Sequence, residues 1–259
     1  MRILALNGSY RGTRGHTAYL LERVFAGARS EGAECEQIVL AQQRIERCLA
    51  CDRCQRREPR FRCALDGRDD VRAIFERMAA ADIVIYATPV YVFGVSALLK
   101  TLLERFYSTG DAGKMRVSAA GLFFHEIDPA ICSRPFVTLV CCDNVEDETL
   151  RNALEYFRTF SRFMDAPLAG ELVRNGGLLC GHGRLDQPSE RVQAIYAAFE
   201  QAGRELATEG RLLRKTMKAA CREVVPVPLF AWLKRIRVRA VKEKFVERAE
   251  SLRRGVDQP

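Results

Sequence analysis

RILALNGSYRGTRGHT, residues 2–17, reads as a short buried strand (Arg2–Leu6), a loop with three glycines and the start of a helix. The helix runs from Thr17 to about Ser30, with Leu20, Leu21, Val24 and Phe25 on one face. The same alternation continues outward. Strand-like runs follow at Glu36–Leu40, Asp82–Ala87, Phe136–Cys141 and Ala169–Val173. Between them lie helical stretches ending at Ala80, at Ser96–Tyr107, at Glu146–Met164 and at Ser189–Thr208, while residues 108–134 show no clear period. Asp69 and Asp70 are expected to cap the helix that ends at Ala80, since carboxylates suit a helix N-terminus. Nearly all-apolar strands alternating with helices predict an α/β protein, a parallel sheet covered on both faces.

Composition bounds the function. In 259 residues, 48% are apolar and 29% charged, which excludes disorder, collagen and coiled coil. The net charge of +8 is uneven: residues 1–203 carry 26 basic and 26 acidic groups, residues 204–259 carry 15 and 7. A neutral body (1–208) is therefore expected to bear a basic helical C-terminal extension (209–259), with helices at Arg211–Cys221 and Phe230–Arg254 joined through a Val-Pro-rich segment at 224–228. Such a basic amphipathic tail suits packing on a neighbouring subunit or contact with a membrane surface. No nucleic-acid motif accompanies it, so no nucleic-acid partner is expected. Ile83–Leu99 has 17 residues without a charge, but Pro89 and Gly94 interrupt it. It falls short of the ~20 residues of a membrane span. Met1-Arg2 leads straight into a strand with no apolar leader, so the expected location is cytoplasmic.

The loop from Gly8 to Thr17 joins a strand end to a helix start, where α/β sheets bind ligands and backbone N–H groups favour phosphate. Ser9, Thr13 and Thr17 offer hydroxyls, and Arg11 or Arg14 charge. Neither G-x-x-x-x-G-K-[ST] nor G-x-G-x-x-G is present. The same residues would also serve simply as a turn and cap.

The third strand ends in Thr88-Pro89-Val90-Tyr91-Val92-Phe93-Gly94, followed by Ser96, Leu99 and Lys100. This segment resembles the T-P-V-Y-x-x-x-x-S-x-x-L-K stretch of NADPH-dependent FMN reductase-like flavoproteins. Gly8-Ser9-x-Arg11 and Gly15-x-Thr17 match that family's G-S-P-R-x-x-G-N-T loop, with Tyr10 and His16 replacing Pro and Asn and one extra residue. The resemblance implies a flavodoxin-like, doubly wound, five-stranded parallel sheet of order 2-1-3-4-5. It also implies FMN, with its phosphate on Ser9, Arg11, Thr13, Gly15, His16 and Thr17 and its ring against Pro89, Val90, Tyr91, Val92, Phe93 and Gly94. Tyr91 and Phe93 supply flat apolar surface, and Cys141–Asn144 at the fourth strand end completes the pocket.

Ten cysteines remain to be placed. Cys48-x2-Cys51-x2-Cys54-x8-Cys63 forms a cysteine-rich loop (44–66) after the second strand. Three thiolates from one tight loop and a fourth nearby suit a 4Fe–4S cluster, with structural zinc and free thiols as alternatives. The motif also resembles that of iron–sulfur flavoproteins, in which an Asp-Asp helix start follows. Arg47, Arg53, Arg56, Arg57, Arg60 and Arg62 would offset the thiolate charge or simply be solvated. The histidines have no ligand-spaced partners.

The expected function is an FMN-dependent oxidoreductase of the iron–sulfur flavoprotein type. It would pass electrons between NAD(P)H or a redox protein and a small-molecule or protein acceptor, with no catalytic side chain because the flavin carries the chemistry. The resemblance implies a homodimer or homotetramer. The alternatives are a cluster-free NAD(P)H-dependent FMN or quinone reductase, and a non-catalytic zinc-containing interaction module.

Overall fold

The computed structural model describes residues 1–225 and 230–256, with residues 248–256 as backbone only. Pro226–Pro228 of the expected linker lie outside them. The chain divides into two units, Met1–Arg222 and Glu223–Pro259.

The first unit is built on five parallel strands. β1 (Arg2–Asn7), β2 (Glu34–Val39), β3 (Ile83–Pro89), β6 (Phe136–Cys141) and β7 (Leu168–Arg174) stand in the order β2-β1-β3-β6-β7. This is the expected 2-1-3-4-5 winding, a flavodoxin-like doubly wound sheet. Its strand numbers differ because an antiparallel hairpin, β4 (Met115–Val117) and β5 (Phe123–His125), occupies the stretch that had no clear period. Three-residue strands are too short to show a period of two. Arg116 fastens the hairpin by pairing with Asp165 and donating to the Phe163 carbonyl.

Both sheet faces are dry, which explains the unbroken apolar strands. On one face Leu4, Leu6, Val84, Tyr86 and Phe136 pack with residues of α3 (Val71–Ala80), α4 (Ala97–Glu104) and α6 (Arg151–Met164). There the Tyr86 ring stacks on Phe157 at 5.5 Å between centroids. The period of two sends Ile3, Ala5, Ile83 and Ile85 to the other face. That face is covered by α1 (His16–Ser30) and α7 (Glu190–Glu209), which pack closely on each other.

Three expectations change. The predicted helix Ser96–Tyr107 tightens into a 3-10 turn at Arg105–Ser108, and the helix expected from Glu146 opens with another at Asp147–Leu150. The long basic helix expected over Phe230–Arg254 is two pieces, a turn at Phe230–Leu233 and α10 (Arg239–Val256). Between them Lys242 Nζ donates to the Lys234 carbonyl at 2.8 Å, and Lys234 pairs with Glu223 at 2.7 Å.

The third change concerns α8 (Arg214–Ala220), which the charge pattern assigned to the extension. It packs on α7 and on β7, inside the first unit. The Leu212 N–H donates to the Ala169 carbonyl at 2.8 Å, and the Glu171 N–H faces Met217 Sδ at 3.4 Å. Glu205, buried on α7, accepts from Leu213 N and Thr216 Oγ1 at 2.9 and 2.5 Å. The fully buried Arg174 closes the segment by donating to the carbonyls of Ala220 and Arg222.

Candidate functional site

The carboxyl ends of β1, β3 and β6 meet at one cleft of about 90 Å³. Ser9, Arg11, His16, Thr17, Pro89, Val90 and Tyr91 line it with Cys141, Cys142, Asp143 and His182. Asn7 sets the first loop. Its Oδ1 accepts from Ser9 N at 3.0 Å, and its Nδ2 donates to Gln37 Oε1 at 3.3 Å. Ser9 Oγ accepts from Arg11 N at 3.2 Å, so the loop is tied before it reaches α1. Gly15 precedes α1 with no side-chain cap, leaving the first N–H groups of that helix open to an anion. A Cβ at Gly15 would come within 2.9 Å of Ser9 Oγ. Thr13 is exposed on a 3-10 turn, outside the cleft lining.

The second loop is a tight turn in which Tyr91 and Gly94 exchange backbone hydrogen bonds at 3.2 Å. Gly94 does not take the left-handed backbone of this turn. Instead the left-handed positions are Val92 (φ 47°) and Phe93 (φ 64°), and a Cβ at Gly94 would meet open space. Holding a valine and a phenylalanine there costs of order 1 kcal/mol or more each. Both side chains point to water, Val92 at 92% exposure, while Tyr91 packs toward Tyr10 with ring centroids 5.9 Å apart. Val92, Phe93 and Gly94 thus stand at the rim of the cleft rather than in its lining.

By spacing alone the histidines have no partners; the fold brings partners to His16 and His182. His182 Nε2 lies 2.6 Å from Asp143 Oδ1, and the His16 and His182 rings are 5.6 Å apart. Tyr196 OH lies 3.4 Å from His16 Nε2. Burial, with His182 and Arg174 adding to it and Asp143 opposing, lowers the His16 pKa to about 4. The sign follows directly: unfolding raises this pKa to the ordinary value of 6.5, so the unfolded chain takes up the proton first. The stability held by neutral His16 is full above pH 6.5 and is lost as pH falls toward 4, on the order of 3 kcal/mol. Urea unfolding of the FMN-free protein across this range should show that loss, and His16→Asn should flatten it.

A second cavity lies beyond β2. Cys48, Cys51, Cys54 and Cys63 all line it, closed by Leu49, Leu65, Arg105 and Tyr107. Left-handed Ala50 (φ 49°) and Asp52 (φ 55°) wrap the C-x2-C-x2-C run around this point. Gln55 pins the loop, donating to the Tyr107 and Gly110 carbonyls at 2.9 and 3.0 Å and accepting from Ala112 N at 3.0 Å. Burial pushes the Cys54 thiol up; the Gln55 amide opposes this, and Cys63 and Cys48 add to it, so these thiols feel one another. Among the described residues, no three His, Cys, Asp or Glu side chains stand in metal-ligating geometry.

Two expectations about this loop are corrected. Asp70 stands at the N-cap of α3, but its side chain makes no cap hydrogen bond there; of the pair only Asp69 serves the helix start, its Oδ1 accepting from Val71 N at 3.4 Å. Its Oδ2 accepts from Arg44 N at 2.7 Å, while Asp69 Oδ2 accepts from Glu46 N at 3.2 Å, so the pair ties down the entrance of the cysteine loop. The six nearby arginines, Arg47 to Arg62, are all exposed. The guanidinium that reaches the cavity is that of Arg105, at the end of α4 and 1% exposed.

Residues 1–122 match the family model of NADPH-dependent FMN reductase. That match covers 122 of the 259 residues, just under half of the chain. The chain is 35% identical over 105 residues to an iron–sulfur flavoprotein of Methanocaldococcus jannaschii, covering 40% of this chain and 51% of that one. An iron–sulfur flavoprotein of Methanosarcina thermophila is 33% identical over 106 residues, with 40% and 52% covered. The match spans about half the length of these curated relatives. The fold extends further. An FMN-dependent NADH-azoreductase of Bacillus anthracis superposes with a TM-score of 0.58 at 12% identity, over 80% of this chain and 99% of that one. An NAD(P)H:quinone oxidoreductase of Methanothermobacter marburgensis gives 0.53 at 17%, over 79% and 95%. Among the described residues no helix is long and apolar enough to cross a membrane.

Proposed function

We propose that this chain is an FMN-dependent oxidoreductase of the iron–sulfur flavoprotein type. It takes electrons from NAD(P)H or a redox protein and passes them to a small-molecule or protein acceptor. The observation that carries the reading is the convergence of the β1–α1 loop, the β3 turn and the end of β6 in one cleft beside an uncapped helix N-terminus. These residues fit FMN. Backbone N–H groups of α1, with Ser9, Thr17 and Arg11, would hold the phosphate; Pro89, Val90 and Tyr91 would flank the ring, and Cys141–Asp143 its far side. Bound FMN supplies hydride and single-electron chemistry. The protein's part is to orient it, exclude water from its buried face and hold His16 neutral beside it.

The four-cysteine cavity fits a 4Fe–4S cluster by its donor set, one thiolate per iron, and by the buried guanidinium in its wall. Cys48, Cys51, Cys54 and Cys63 would be the ligands. The second unit exposes Trp232, Val238 and Val246 among its basic residues, a surface suited to packing in a homodimer or homotetramer or on an anionic membrane.

The absorption spectrum of the purified protein tests the whole reading. Flavin bands over a broad absorbance that bleaches on reduction support it. Flavin bands alone, with no iron, leave a cluster-free FMN or quinone reductase. A colourless protein containing zinc overturns both and leaves an interaction module.

A further inference from the structure

Arg105 has one of the most deeply buried side chains among the described residues, yet two of its three guanidinium nitrogens have nothing to donate to. Nη1 is satisfied by Asp69 Oδ2 at 2.5 Å and by the Glu46 carbonyl at 2.9 Å. Nε and Nη2 have no hydrogen-bond partner. Asp66 Oδ1 lies 4.0 Å from Nη2, beyond hydrogen-bond reach, and Asp66 is already engaged by Cys63 N through Oδ2 at 3.2 Å. Buried N–H groups of a charged side chain are rarely left without an acceptor, because their desolvation is then uncompensated. The side chain lines the cavity that the four cysteines line. Its charge is held there: burial works against it, but Asp69 and then the Cys63 thiol outweigh burial and raise its pKa.

We infer that Arg105 is the hydrogen-bond donor and counter-charge for what the four cysteines hold, its Nε and Nη2 directed at sulfur of the cluster or of the Cys63 thiolate. This rests on the cluster reading above. Four thiolates around a cubane carry net negative charge, and one-electron reduction adds another. A fixed cation donating to sulfur stabilises the more negative state and so raises the reduction potential. The solvated arginines of the loop cannot do this, because water screens them. Asp69 contributes by orientation: it clamps Nη1 and leaves Nε and Nη2 without a protein acceptor.

The test uses full-length protein, reconstituted anaerobically with iron and sulfide, as wild type, Arg105→Lys and Arg105→Gln. Iron, sulfide and FMN are assayed, and midpoints are read by redox titration with EPR detection of the cluster and absorbance of the flavin. Loss of the two donors should disfavour the reduced cluster by roughly tenfold or more, about 59 mV for one electron. Arg105→Gln should show the larger drop, Arg105→Lys a smaller one, and the flavin midpoint should stay put. If Arg105→Gln fails to fold, Arg105→Lys decides alone, because one ammonium cannot serve Asp69, the Glu46 carbonyl and the cavity together. Unchanged cluster midpoints in loaded variants overturn the role given to Arg105. A wild type that takes up no iron and sulfide overturns the cluster reading itself, and this inference with it.

Discussion

Gly203→Ala should destabilise the protein by more than about 3 kcal/mol, at the upper end of what overpacking a core costs. A Cβ built on Gly203 would stand 1.8 Å from the Val24 carbonyl oxygen of α1. Gly27 on α1 is the reciprocal case, its Cβ 1.8 Å from the Glu200 carbonyl of α7. The obstacles are backbone atoms, which cannot rotate away as a side chain would. The two helices must therefore separate, opening gaps around Leu20, Leu21, Phe199 and Leu206, all fully buried. Alanine raises intrinsic helix propensity over glycine by about 1 kcal/mol, so a merely local account predicts stabilisation. The sign of the change in urea midpoint separates the two. Because α1 also presents its N-terminus to the cleft, Gly203→Ala should release FMN as well, measurable as flavin lost on gel filtration.

Cys51→Ala should abolish the cluster while leaving FMN in place. Of the four thiols Cys51 is the exposed one, at the mouth of its cavity, so its removal leaves no void in the apolar core. A cubane with three thiolates and one open position is labile, and iron and sulfide should fall from full occupancy toward zero. The flavin cleft shares none of its lining residues with the cysteine cavity, so flavin absorbance should be unchanged. Joint loss of flavin and iron would mean that the two sites form one structural unit. Loss of flavin from protein that never held iron would refute the cluster outright.

The parallel sheet was legible because its strands are buried on both faces, which leaves apolar runs such as Phe136–Cys141 with no competing period. The two loops at strand ends were legible for a related reason: Gly, Pro, Ser and Thr at a strand end mark a backbone that must turn. Side-chain partners were another matter. Asp69 and Asp70 were read by the local rule for helix caps; Asp69 Oδ1 does accept from Val71 N, yet an Oδ2 of each reaches back to Glu46 and Arg44, the same N–H chemistry spent on a distant segment. Arg105 meets Asp69 and Glu46 across 36 and 59 residues, and His182 meets Asp143 across 39. No spacing rule spans such gaps. Val92 and Phe93 hid their left-handed backbone because nothing in a β-branched or aromatic residue announces it.

The strap from Leu212 to Ala220 settles which way this sheet can grow. β7 is an outer strand, and an outer strand with free N–H and C=O groups is a template for another chain. The outward groups of Ala169 and Glu171 are covered by Leu212 and Met217, so that border is capped from within. The opposite border, β2, begins with Glu34-Cys35-Glu36 and is dressed by Arg2 and Arg77, which pair with the two glutamates. One border is capped by covalently attached sequence and the other guarded by charge, so polymerisation by strand addition is blocked at both. Shortening the chain to residue 208 would uncap β7 and leave its outward N–H and C=O groups open to strand addition.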